Sequence, residues 1–172
     1  MTSFNKMPSL PSAAGFVAAL GVTLASNQVL AQTAALIRHL CVPLGSPSQW
    51  EPIGDREAHN ILTSRLSCRV EGGPLEGGAT FSNAMWEYDR TTGTLLSGDG
   101  VVRKPGAMVA FRFTAGTVTL TMKDGNLAGW TASGKGVYTM ATGAAASLGG
   151  KTFSWTARPT GVGQQVSEWV MD

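Results

Sequence analysis

From about residue 60 to the C-terminus, short runs of alternating apolar and polar residues are cut by glycines, and this constrains the fold more than any other feature. Of the 22 glycines, 18 fall in residues 71–172. Alternation with period two puts successive side chains on opposite faces of a strand, and glycine supplies the tight turns between strands. The clearest run is Thr117–Met122, with Val118, Leu120 and Met122 on one face and Thr117, Thr119 and Thr121 on the other. The Asp124-Gly125 pair that follows is a strong hairpin signal.

The same reading predicts strands near 61–70, 79–88, 94–103, 107–114, 117–123, 126–133, 135–141 and 151–157, with a last one near 164–171. Connections of two to five residues make sequential strands antiparallel neighbours, a meander. A meander of this length curls until its ends meet, which removes exposed edges. The expected fold is all-β: an antiparallel up-and-down meander closing into a small β-barrel of about eight strands. Its architecture is that of lipocalins or streptavidin, by analogy alone, because no signature of those families stands in the sequence. A two-sheet sandwich is the second choice.

The N-terminal part reads differently. No charged residue occurs from Met7 to Ile37, Lys6 stands just before this span, and Ala13–Ala25 is a compact apolar core. Val29-Leu30-Ala31 offers a small-residue cleavage site, so residues 1–31 read as a secretory leader, or as an anchor if retained. Residues 32–60, punctuated by Pro43, Gly45, Pro47, Pro52 and Gly54, read as an irregular connection with at most a helical turn over 33–40. Trp50 is its expected anchor on the main domain, which spans 61–172. An exported chain is expected to be periplasmic or secreted.

Charge excludes some functions. Lys plus Arg is 13 and Asp plus Glu is 11, too balanced for an electrostatic nucleic-acid binder. His39, Cys41, His59 and Cys68 are the only histidines and cysteines, but their spacing fits no zinc pattern. In an oxidising compartment Cys41 and Cys68 would instead form a disulfide, adding roughly 3 kcal/mol by loop closure. No nucleophile elbow and no dinucleotide or Walker glycine pattern is present, and both histidines precede the expected barrel. No catalytic residue, metal or cofactor is therefore expected. Trp86 and Tyr88 share one strand face and Glu87 and Asp89 the other, which sends the carboxylates to solvent. Ser97-Gly98-Asp99-Gly100 and Ser133-Gly134-Lys135-Gly136 echo each other at an offset of 36 and read as turns or bulges.

Aromatic residues and methionines in the predicted strands suit an adaptable apolar pocket. The expected ligand-binding residues are Trp86, Tyr88, Leu120, Met122, Trp130, Phe153 and Trp155. The reading is an exported, non-catalytic barrel whose partner is a small apolar molecule or a protein assembly, with no nucleic acid. A membrane enters only if residues 1–31 are retained, and a small isomerase or cyclase barrel is the least favoured alternative.

Overall fold

The computed structural model describes residues 36–45 and 49–172. The expected leader lies outside the described residues. The strands are β1 Leu36–Pro43, β2 Gln49–Pro52, β3 His59–Glu71, β4 Ala79–Asp89, β5 Thr92–Lys104, β6 Ala107–Lys123, β7 Asn126–Gly143, β8 Thr152–Gly161 and β9 Gln164–Met171. From β3 to β9 each strand pairs antiparallel with the next, and β1 pairs with both β9 and β3. Eight strands thus close into an up-and-down barrel, the fold expected from the alternation. β2 stays outside the ring, on the same edge of β3 as β1.

Two features depart from the expectation. Residues 36–43 form the strand that closes the ring, so the barrel begins at Leu36 and not near residue 61. Ile37, His39 and Cys41 point inward and are buried. Leu40 and Val42 are apolar on the outer face as well, which blurs the alternation that marks a strand. The second departure is that the runs 107–114 and 117–123 form one strand, as do 126–133 and 135–141. The intervening Ala115-Gly116 and Gly134 are not turns: the strands run through them, with a local register shift between Phe113 and Ala115.

The reason is a seating of aromatic rings on glycines. A Cβ at Gly116 would stand 3.0 Å from the Trp155 ring, and one at Gly134 2.7 Å from it. Gly98 faces Phe113, Gly100 faces Phe111 and Gly136 faces Phe153 in the same way. The Ser-Gly-x-Gly echo is therefore not a turn, since both copies lie inside strands. Its glycines are inward positions left empty so that a neighbouring strand's ring can fill them.

The rings form a contiguous cluster across the barrel. Phe153 and Trp169 lie parallel with centroids 4.4 Å apart, and Phe111, Phe113 and Tyr138 pack around them. Buried aromatic surface of this extent supplies much of the driving force for folding. Along the middle of β6 and β7 the outer face is polar, with Arg112, Thr117, Thr119, Thr131, Ser133 and Lys135 exposed, whereas β1 and β4 expose Val42, Phe81 and Met85. Among the described residues no helix is long and apolar enough to cross a membrane.

Candidate functional site

The two ends of the barrel differ. One end carries the β3–β4, β5–β6 and β7–β8 connections. Leu75 from the first, and Ala145 and Leu148 from the last, are buried in the core and plug that end. The other end carries the β4–β5, β6–β7 and β8–β9 turns. Here the interior holds a cavity of about 580 Å³, lined by residues of β1, β3, β4, β6, β7, β8 and β9. That volume lies within the range of small-molecule sites, roughly 300–1,000 Å³.

The cavity has two kinds of wall. Trp86, Phe113, Val118, Leu120, Trp130 and Trp155 make it apolar on one side. Ser64, Thr80, Ser82, Gln165 and Ser167 supply hydroxyl and amide groups on the other. The Cys41–Cys68 disulfide lines it too, stitching β1 to β3 at the seam where the ring closes. A structural disulfide of this kind belongs to an oxidising compartment. Near the mouth, Trp50 of β2 packs on Tyr88 with ring centroids 4.7 Å apart, the anchoring role expected of it. Burial raises the Tyr88 phenol to about 12, so it stays protonated.

His39 stands among the lining residues and is almost fully buried. Its Nδ1 lies 2.9 Å from Thr80 Oγ1, and its ring stacks on Trp169 at 4.1 Å. Its Nε2 has no partner among the described residues. Burial lowers the imidazole pKa to about 3, so the ring is neutral at ordinary pH.

The other histidine is placed differently. His59 starts β3 and lies on the outer face, where Nδ1 meets Asp55 and Nε2 lies 2.7 Å from Glu87. Contact with Asp55 first, and then with Glu87, raises its pKa. Arg56 bridges Asp55 and Asp89 beside it. This cluster ties the β2–β3 turn to β4. It sits outside the barrel and does not line the cavity.

Both histidines therefore depart from the expectation that they precede the barrel, since one is inside it and the other begins one of its strands. With Cys41 and Cys68 bonded to each other and the imidazoles on opposite faces, the four do not converge on a metal. Among the expected ligand-binding residues, Trp86, Tyr88, Leu120, Trp130 and Trp155 line the cavity. Phe153 is inward as expected but lies beneath it, in the filled aromatic layer. Met122 is not inward: a register irregularity between Thr121 and Met122 breaks the alternation, and its side chain is 47% exposed. Glu87 and Asp89 face outward as expected. The reading missed His39, Thr80 and Gln165 as lining residues. For His39 the signal was the period-two set Ile37, His39, Cys41.

Comparison with known proteins gives no match, neither to a family model nor to a curated protein or a solved structure.

Proposed function

We propose that this protein is an exported, non-catalytic barrel that binds a small apolar or amphipathic molecule in the open end of its interior. The observation that carries this reading is the cavity of about 580 Å³, with an aromatic wall facing a hydroxyl-bearing one. Such a site suits a guest with an apolar body and few polar groups. Export is supported by the disulfide and by the apolar N-terminal segment read as a leader. A non-catalytic role is supported by the chemistry of the wall. Its described titratable side chains are His39, held neutral, Tyr88, held protonated, and Arg65, which is exposed. Proton transfer needs an acid or base poised near the working pH.

The test is a titration with N-phenyl-1-naphthylamine, an apolar fluorescent probe, while tryptophan emission is followed. Saturable binding with energy transfer from tryptophan is expected. Leu120→Arg, a substitution at a half-buried wall position, should abolish it while the thermal unfolding midpoint stays within a few degrees. Failure of the wild-type protein to bind the probe would overturn the reading and favour a docking subunit.

A further inference from the structure

The two ends of the barrel treat apolar side chains in opposite ways. At the plugged end Leu75 and Leu148 turn inward. Among the described residues, the connections there, 72–78, 105–106 and 144–151, expose no large apolar side chain. At the open end such side chains point to solvent. Trp50 of β2, Ile53 just after it, Met122 and Leu127 on the two sides of the β6–β7 turn, and Val162 in the β8–β9 turn are all exposed. The β2–β3 turn belongs to this end, since the Arg90 N–H of the β4–β5 turn donates to the Ala58 carbonyl. Val162 is the extreme case. It stands fully exposed between Gly161 and Gly163, where turn chemistry favours a polar residue or glycine.

The exposed tips are continuous with the cavity. Trp50 and Leu127 line it as well, so the rim and the apolar wall form one surface. Trp50 rests on Tyr88 and still leaves 45% of its own surface in water. An indole with one side on protein and the other free suits a boundary between water and hydrocarbon. The tips are also separated. Asp55-Arg56, Arg90-Thr91 and Lys123-Asp124 stand between them. A protein partner needs a contiguous, closely packed apolar core, and five tips around an opening do not offer one. A fluid bilayer closes around each tip by itself. The charges between the tips have both signs, so the rim draws on apolar burial and not on headgroup charge.

We propose that the open end of the barrel is a membrane-docking surface, whose tips Trp50, Ile53, Met122, Leu127 and Val162 enter the interface of a lipid bilayer and turn the cavity mouth towards it. The rim alone carries this assignment, without any part for residues 1–31. That the guest is a lipid drawn from the bilayer through the mouth rests on the reading of the cavity as a ligand site. Docking spares such a guest a passage through water.

Flotation with phosphatidylcholine vesicles tests the surface. The wild-type protein should float with the vesicles, and raising the salt concentration should not release it. Leu127→Glu combined with Val162→Glu changes two exposed tips. It should weaken partition about tenfold or more, while the thermal unfolding midpoint stays within a few degrees. Both proteins share residues 1–31, so the difference reports the rim. Trp50 is the one exposed tryptophan of five. Brominated phosphatidylcholine should therefore quench wild-type emission, and Trp50→Phe should lose most of that quenching. Absence of flotation, flotation that the double variant keeps, or quenching that Trp50→Phe keeps would overturn the proposal. Rim-dependent self-association in sedimentation, without flotation, would assign the rim to a second copy of the chain and overturn it too. Binding of N-phenyl-1-naphthylamine without flotation would leave the cavity reading standing alone. Flotation without binding of that probe would keep the docking surface and overturn the cavity reading.

Discussion

Gly136 lies directly under the Phe153 ring, so close that a Cβ at Gly136 would overlap Cζ of the phenylalanine. The two residues are paired across β7 and β8. Phe153 is fully buried and stacked on Trp169, so it has nowhere to move. Gly136→Ala should therefore destabilise the protein by about 1–3 kcal/mol, the usual cost of overpacking a core. Gly129, in the same strand, has open space where its Cβ would be and no positive φ. There the same substitution should be neutral or stabilise by up to about 1 kcal/mol, by restricting the unfolded chain. Urea unfolding of the two variants checks both signs. Equal effects would refute the ring-seat account.

The β6–β7 turn behaves as its sequence suggests. Asp124 has φ 52° and Gly125 φ 75°, positive at both central positions, as a type I′ turn requires. Gly125→Val should cost about 1 kcal/mol or more, because a β-branched residue resists positive φ. Gly125→Asn, which tolerates that region, should recover most of the loss. Thermal melts of the two variants side by side make the comparison.

Cys41 and Cys68 are directly opposed in the β1–β3 ladder, with sequence separation 27. β1 is the strand that closes the ring, and the disulfide holds it to β3. Replacing both cysteines by serine should lower stability by on the order of 3 kcal/mol, the loop-closure value for this length. Denaturation of the wild-type protein with and without reductant should show the same difference. A midpoint unmoved by reductant would mean that the ladders alone hold the seam.

The two histidines should shape the pH dependence in opposite ways. His59 has its folded pKa raised by Asp55 and Glu87. Its contribution is complete below the unfolded value of about 6.5 and is lost as pH rises through the raised folded value. Asp55 is lowered, chiefly by its bond to His59, so its share is present above its unfolded value and lost as pH falls through the folded one. His39 is lowered to about 3 by burial. Its unfolded form takes up a proton well before its folded form does, so stability falls as pH drops from about 6.5 towards 3. His59→Gln should flatten the alkaline limb of a urea-midpoint profile between pH 3 and 9, and His39→Phe the acid limb. A profile unchanged by either variant would contradict the two placements.

Much of the fold was legible in the chain because the determinants are local. Thr117–Leu120 alternates because one face of a strand meets the core and the other meets water, and Asp124-Gly125 declares its turn through backbone preference alone. The disulfide was legible because only Cys41 and Cys68 were available to pair. The rest depends on neighbours that only closure of the ring supplies. Gly125 and Gly134 are the same residue in sequence. One is needed for its positive φ, and the other for the Trp155 ring that reaches it from β8. β1 was hidden because its outer face is nearly as apolar as its inner one, so its strand character appears only when β9 and β3 pair with both its edges. Phe153 and Trp155 follow one inward rule, yet Phe153 fills the core and Trp155 lines a cavity. Alternation states which way a side chain points. Whether it meets another side chain or empty space depends on what the opposite wall carries at that height, and that is decided only when the barrel closes.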